Sequence, residues 1–134
     1  MLVEKEQQFP LVSSEDVVLI RQAVRLWALE RGFGLVDQTK LVTAASELAR
    51  STVTYGGGGI ARIEAITDGP RRGMRVTFED NGPGIANVEQ AMKDGFTTGS
   101  GLGLGLGGAK RLTQDFGIQT APGQETRVWF IRWR

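Results

Sequence analysis

The sequence predicts an α/β protein in which helices cover one face of a mixed, mostly antiparallel sheet, as a two-layer α+β sandwich. Two observations carry this prediction. Apolar residues recur at helical spacing in the first half of the chain, and alternating polar and apolar runs joined by short turns follow in the second half. Elements in this order favour the sandwich over a doubly wound sheet. The 134 residues predict a single domain spanning 1–134.

An edge strand and two helices are predicted first. A strand is expected over 5–12, although it contains a proline. Ser13 is expected to cap a helix that Gly32 ends, because a hydroxyl and then acidic residues open its first turn. Asp37 is expected to cap the second helix, which stops at the four glycines of 56–59. The apolar stripes of the two helices are Val17, Ile20, Val24 and Trp27, and Leu41, Ala44, Ala45 and Leu48.

The second half of the chain predicts mainly strands. Alternating runs over 60–67 and 74–78 flank the turn formers of 68–70, which indicates a hairpin. The other predicted elements are a short helix from Asn87 through Met92, a helix over 110–116, and strands over 118–120 and 126–133.

The amino-acid composition excludes several kinds of covalent bond, catalytic group and metal ligand. The chain has no cysteine, which excludes disulfides and thiolate catalysis, and no histidine, which excludes imidazole ligands and a phosphohistidine intermediate. A net charge of +1 with both signs interspersed requires neither a nucleic acid nor a membrane as partner. No apolar run approaches the ~20 residues of a membrane span, and no signal-peptide pattern opens the sequence. We therefore expect a soluble, cytoplasmic protein.

Two glycine-rich segments, residues 80–85 and 99–108, predict a nucleotide site. Asp80 follows an apolar strand, and its carboxylate can accept a hydrogen bond from the exocyclic amine of a base. Glycines beside it let the backbone pass close to a flat ring. The second segment runs into a predicted helix, and a glycine-rich loop at a helix N-terminus offers unpaired N–H groups to phosphates. The phosphate-wrapping residues expected there are Gly101, Gly103 and Gly105.

The second predicted helix contributes Glu47 and Ser51, which lie four residues apart and hence on one helical face. The carboxylate can accept a proton or orient a hydroxyl, and the Ser51 oxygen can ligate Mg²⁺. Residues 87–100 contain the small residues that a mobile lid needs. Two other motif matches fail on context. The G-x-G-x-x-G match at 103–108 lacks a preceding buried strand, and Asp-Phe-Gly at 115–117 lacks a catalytic-loop histidine.

This order of motifs resembles the GHKL (Bergerat) ATPase superfamily of Hsp90, gyrase B, MutL and histidine kinases. Within it, the chain is most similar to the short anti-sigma-type serine kinases of bacterial stressosomes. The resemblance covers nearly the whole chain and implies a Bergerat ATP-binding fold with ATP and Mg²⁺ as cofactors. The segments that carry it are 32–38, 46–50, 79–85, 94–99 and 110–112.

The resemblance implies that Asp80 binds adenine and that Glu47 is the general base of a protein serine/threonine kinase. The γ-phosphate would pass to a STAS-domain scaffold or antagonist protein of a stressosome. The kinase would then leave that protein and bind a downstream effector, a PP2C-type phosphatase or a cyclase. The other nucleotide-binding residues implied are Gly82, Gly84, Ile85, Gly101, Leu102, Gly103, Leu104, Gly105 and Thr126.

The chain departs from the family pattern at two places. Ser51 stands where the family has the asparagine that ligates Mg²⁺, and Gln-Glu-Thr at 124–126 replaces the usual Gly-x-Gly-Thr, with Thr126 retained. An alternative function therefore stays open. The chain would then be a non-catalytic Bergerat module, similar to an anti-sigma factor, that sequesters a partner such as a sigma factor.

Overall fold

A computed structural model describes residues 1–85, 92 and 105–134 of the chain. Five strands and three helices lie in these residues, in the order strand, two helices, two strands, helix, two strands. Their bounds are β1 Leu2–Leu11, α1 Ser14–Arg31, α2 Leu35–Thr54, β2 Gly59–Asp68, β3 Arg71–Asp80, α3 Leu106–Arg111, β4 Asp115–Gln119 and β5 Thr126–Trp133.

The five strands form one sheet in the order β1-β2-β3-β5-β4, and every described pair in it is antiparallel. The β2–β3 hairpin confirms the prediction for residues 60–78. Its register pairs Gly59 with Asp80, and the β3–β5 register pairs Asp80 with Thr126. Asp80 therefore lies at the end of a central strand, between two neighbouring strands.

The hydrophobic core lies between the helices and one face of the sheet. Phe78 and Phe130 from neighbouring strands are stacked there with ring centroids 6.5 Å apart. Alternate residues on β2 and β3 face away from the helices, where Arg75 Nε and Glu64 Oε1 are 2.7 Å apart. Helices on one face of the sheet were predicted, and this arrangement confirms it. The largest fully buried side chains include Leu11, Ile20, Val24, Leu41, Leu48, Ile63, Met74 and Val76.

The beginning of α1 confirms the predicted cap. The Ser13 side chain accepts from the Asp16 backbone, and Asp16 in turn accepts from the Ser13 backbone, which is a complete capping box. Gly32 ends the helix with φ 89°. The Val12 N–H donates to Asp16 Oδ2 at 2.8 Å. Val12 therefore belongs to the cap, and β1 stops at Leu11 rather than at the predicted residue 12.

Two of the predicted helices also have wrong bounds. Helix α2 begins after Gly34, so Asp37 lies inside its first turn and binds Arg132 instead of capping. The last helix covers Leu106–Arg111 rather than 110–116, and Phe116 lies in β4. The Gln114 N–H donates to the Ile131 carbonyl across the sheet, which takes the chain out of the helix. The predicted helix from Asn87 lies outside the described residues, apart from Met92, which packs against the core.

None of the described helices is long and apolar enough to span a membrane.

Candidate nucleotide-binding site

Asp80 is a buried carboxylate at the end of β3, with only 8% of its surface exposed. Its Oδ1 accepts the Gly82 backbone N–H at 2.8 Å. Burial raises the pKa of the Asp80 carboxyl, while hydrogen bonds from the Gly82 and Thr126 backbones oppose that rise. The nearby Glu125 charge raises the pKa further. A carboxylate that is so little exposed to water is suited to accept a hydrogen bond from a donor group of a ligand.

Glycines pack directly against this carboxylate. A Cβ atom on Gly56 would lie 2.5 Å from Asp80 Cγ, and one on Gly82 would lie 2.8 Å from Gly56 Cα. Any side chain at Gly56 would therefore displace Asp80. Sequence analysis treated residues 56–59 only as the end of a helix. The run of four glycines indicates that the backbone packs closely against another part of the chain. It does not indicate that this part is Asp80 at the end of β3.

The loop that follows β3 is held from two sides. The Tyr55 hydroxyl donates to the Gly84 carbonyl at 2.6 Å, and the Ile85 N–H donates to Thr120 Oγ1 at 3.0 Å. The hydroxyls of Thr120 and Thr126 are 2.8 Å apart. Gly84 has φ 76°, and a Cβ atom there would lie 1.9 Å from the Ala121 carbonyl oxygen. Sequence reasoning missed Tyr55 and Thr120, because neither belongs to a local motif.

A narrow pocket, with a cavity volume of about 10 Å³, lies between the C-terminal half of α2 and the ends of β3 and β5. Its lining combines apolar side chains with hydroxyls and the single carboxylate of Asp80. A flat, mainly apolar ring that bears an amino group matches this combination, and the pocket would widen to admit it. The lining residues are Leu48, Ser51, Thr52, Tyr55, Phe78, Asp80, Ile85, Leu106, Thr126 and Val128.

The predicted catalytic carboxylate lies one turn from this pocket along α2. Glu47 is 39% exposed, and its Oε1 is 3.4 Å from Arg50 Nη1. Gly105, which caps α3 with φ 71°, approaches it so closely that a Cβ atom there would lie 2.8 Å from Glu47 Oε2. The structure thus brings together Glu47 on α2 and the end of the second glycine-rich segment. Ser51 follows on the same helix and lines the pocket.

Within residues 1–85, 92 and 105–134, no cluster of three carboxylates could hold a metal ion by itself. A cation beside Ser51 would therefore take most of its ligands from phosphate oxygens and water, as Mg²⁺ commonly does. Gly101, Leu102, Gly103 and Leu104, and the predicted lid over 87–100 apart from Met92, lie outside the described residues.

The fold is that of an ATPase family. The chain belongs to the family described as histidine kinase-, DNA gyrase B-, and HSP90-like ATPases, whose model matches residues 36–134. It is similar to the serine/threonine-protein kinase RsbT of Bacillus subtilis (strain 168), with 42% identity over 123 residues, or 92% of each chain. The predicted resemblance to the GHKL superfamily, and within it to the serine kinase RsbT, is confirmed.

Two solved structures share the fold at low identity. One contains the RsbU and RsbW domains of Rv1364c from Mycobacterium tuberculosis. It matches at a TM-score of 0.66 and 18% identity, over 97% of this chain and 33% of that one. The other is the SiaB–SiaC complex from Pseudomonas aeruginosa, with a TM-score of 0.66, 10% identity, and coverage of 96% and 89%.

Proposed function

We propose that this chain is an ATP-dependent protein serine/threonine kinase that also acts as a partner-switching regulator, built as one domain over 1–134. One observation carries the proposal. A buried carboxylate, Asp80, ends an apolar pocket, and a second carboxylate, Glu47, lies on the same helix as the pocket residue Ser51. The 42% identity to a named serine/threonine kinase supports the same activity.

Asp80 would select adenine, because its carboxylate accepts from the amino group that adenine has and guanine lacks. Gly56 and Gly82 support this role, since only residues without a Cβ atom can lie so close to the carboxylate without displacing it. The apolar side chains of the pocket would cover the faces of the ring. Gly84, Ile85 and Thr126 would shape the pocket around it. The proposed phosphate-binding residues are Gly101, Leu102, Gly103, Leu104 and Gly105.

Glu47 would accept the proton of the acceptor hydroxyl during phosphoryl transfer. Its exposed carboxylate and its contact with Gly105, at the start of α3, support this role. Arg50 lies on the outer side of that carboxylate and would hold its orientation. Ser51 would ligate Mg²⁺, which neutralises charge on the phosphates when bound. Each residue is therefore proposed for one task along a single face of α2.

The proposed acceptor is a serine or threonine on a STAS-domain scaffold or antagonist protein of a stressosome. After phosphorylation the chain would leave that protein and bind a downstream effector, a PP2C-type phosphatase or a cyclase. We propose a cytoplasmic location, because each of these partners would be reached there. The identity to RsbT over most of both chains supports this choice of partners.

Phosphoryl transfer from labelled ATP tests the proposal. The parent, incubated with Mg²⁺ and the STAS-domain protein encoded beside it, should label that protein on serine or threonine. Glu47→Gln should lower the rate by ~10²–10⁴-fold and leave ATP affinity unchanged, because a general base acts only in the transition state. Glu30→Gln is the matched control, since Glu30 is also exposed and paired with a cation. It should transfer phosphate at the parental rate.

Two outcomes contradict this assignment. A folded Glu47→Gln protein that phosphorylates its partner at the parental rate removes Glu47 as the base. A parent that binds the STAS-domain protein tightly and transfers no phosphate to it supports the alternative, a non-catalytic module that sequesters a partner. The serine at position 51, in place of the family asparagine, is the observation that favours this alternative.

A further inference from the structure

We propose that the solvent-facing side of α1 is a docking surface for an amphipathic helix of a protein partner, with Asp or Glu along one flank of that helix. We call this surface the α1 stripe. It consists of Val18, Leu19, Leu26 and Leu29, which are 46%, 55%, 53% and 60% exposed. None of these residues lines the nucleotide pocket, so the proposal does not depend on the kinase activity.

Helix α1 is apolar on two opposite sides. Its core side is buried against α2 and the sheet, and includes Ile20, Val24 and Trp27. The α1 stripe lies on the other side. A second apolar side on a helix is normally covered as well, because each exposed leucine leaves apolar surface in water. The solvent side of α1 is therefore expected to be covered by another molecule.

The exposed apolar surface of the described chain is concentrated here. Val12 lies just before α1, and Leu35 and Val36 lie just after it, with 71%, 78% and 68% of their surfaces exposed. Apart from the first three residues of the chain, every large apolar side chain that is exposed in residues 1–85, 92 and 105–134 lies on α1 or beside its ends. Isolated exposed leucines need no explanation, but four exposed apolar side chains on one helix, with three more beside its ends, indicate an interaction site.

The spacing of the stripe favours a helix as its occupant. Leu19, Gln22, Leu26 and Leu29 follow one another at intervals of three, four and three residues. This is the spacing at which one helix packs its seam against a second helix. A groove of about 200 Å³ beside the stripe could receive an apolar side chain from the partner. Val18 and Gln22 of α1 and Val42 of α2 are among its lining residues.

The positive charge on one flank of the α1 stripe indicates which charge the partner helix carries. Arg21 and Arg25 are exposed, lie one turn apart and line the same groove. Neither has an ion pair or a hydrogen bond within the described part of the chain, whereas Arg31, Arg62 and Arg75 each bind a glutamate. Two unpaired cations along an apolar seam are complementary to carboxylates one turn apart on a partner helix.

A second copy of this chain is a poorer occupant. If two α1 helices packed antiparallel across the stripe about a twofold axis, the arginine pairs of both copies would lie on the same side of the seam. Like charges placed together in this way disfavour the contact. The surface therefore fits a different protein, in which acidic residues face the arginine flank.

Selection from a library of helical peptides on a fixed scaffold tests this proposal. The full chain, without nucleotide, serves as bait, and fluorescence anisotropy measures the affinity of the enriched helices. We expect helices with an apolar seam and Asp or Glu along one flank. Leu26→Gln and the double variant Arg21→Glu/Arg25→Glu should each weaken binding by about tenfold or more. Arg72→Glu, an exposed arginine on the β2–β3 hairpin, is the matched control and should bind as the parent does.

Charge reversal makes the test specific. Replacing the acidic residues of an enriched helix by Lys should abolish binding to the parent and restore binding to Arg21→Glu/Arg25→Glu. Three outcomes overturn the proposal: no enriched helix, enriched helices without an acidic flank, or affinities that these variants do not change. A parent that sediments as a dimer and becomes a monomer in Leu26→Gln also overturns it, since a second copy would then cover the stripe.

Discussion

At the scale of single residues, Asp80 combines a stability cost with a binding role. Its pKa is raised by burial, so the folded chain holds this proton more readily than the unfolded chain does. The parent should therefore lose stability as pH rises from about 3.8 through the raised pKa. Asp80→Asn has no proton to lose there. Its stability relative to the parent should increase across that pH range and then stay constant, as urea unfolding at several pH values would show.

The same substitution should damage nucleotide binding. An amide at this position can turn its N–H₂ group toward the adenine amine, which leaves a donor facing a donor. An unpaired group of this kind costs ~1–3 kcal/mol, or about tenfold or more in ATP affinity. Parental binding should also weaken as pH falls through the raised pKa, because the protonated carboxyl group is uncharged, accepts more weakly and carries one O–H donor. Isothermal titration measures both effects, and unchanged ATP affinity in folded Asp80→Asn would remove Asp80 from the site.

Ser51 is the residue at which this chain departs from its family. A serine hydroxyl is shorter than the asparagine side chain and should hold Mg²⁺ more loosely, although phosphate oxygens and water supply other ligands. Restoring the family residue by Ser51→Asn should therefore tighten Mg-ATP binding and leave binding without Mg²⁺ unchanged. Calorimetry with and without Mg²⁺ measures the difference. If the parent binds Mg-ATP tightly and Ser51→Asn does not increase the affinity, the serine does not weaken Mg²⁺ binding.

The sequence placed Asp80, Glu47 and Ser51 in the candidate site because each lies in a local motif. It could not place Tyr55, Gly56 or Thr120. Tyr55 meets Gly84 across 29 residues, and Thr120 meets Ile85 across 35. Such contacts depend on strand order and register, which single-sequence patterns do not fix. Tyr55, Gly56 and Thr120 were therefore missed, whereas Asp80 and Ser51, which line the pocket, and Glu47 beside it were predicted from local motifs.

At the scale of elements, the junction between α2 and α3 depends on Gly105. Its φ is 71°, and a Cβ atom there would strike the Glu47 side chain at 2.8 Å. Gly57 is the matched control, because its φ is 73° and a Cβ atom there would meet nothing within 4 Å. Gly57→Ala should cost only the backbone strain of ~1–2 kcal/mol. Gly105→Ala should cost more and should also slow phosphoryl transfer, as chemical unfolding and labelled ATP would measure. Equal losses in both variants would contradict a contact role for Gly105.

Element boundaries show where local signals are sufficient. The predicted start and end of α1 are confirmed, because a capping box and a left-handed glycine are encoded within a few residues. The last helix was predicted too far along the chain. Helical spacing alone did not reveal that Gln114 donates to Ile131, a strand residue 17 positions later, which makes 115–119 a strand. Pairing with the sheet overrode the local preference there.

At the scale of the whole molecule, the order of the strands in the sheet could not be predicted from the sequence, although a mostly antiparallel sheet was predicted. β5 enters between β3 and β4, so the chain must cross from the last helix to the far edge and return. This insertion brings Thr126 beside Asp80 and closes the pocket with the last strand of the chain. The pocket therefore exists only in the completed sheet, and predicting each strand separately does not give the strand order that forms it.

Arg132 joins this completed sheet to the start of α2 and the end of α3. Its guanidinium donates to Asp37, 95 residues earlier, and to the Leu112 carbonyl at 3.0 Å, and its side chain is only 14% exposed. Arg132→Met keeps much of the packing and removes both hydrogen bonds, so it should lower the free energy of unfolding by about 1.5–3 kcal/mol. Arg50→Met removes an exposed ion pair of 3.4 Å and should cost at most ~1 kcal/mol. Urea unfolding of both variants measures the difference, and similar small losses would show that Arg132 does not tie these three elements together.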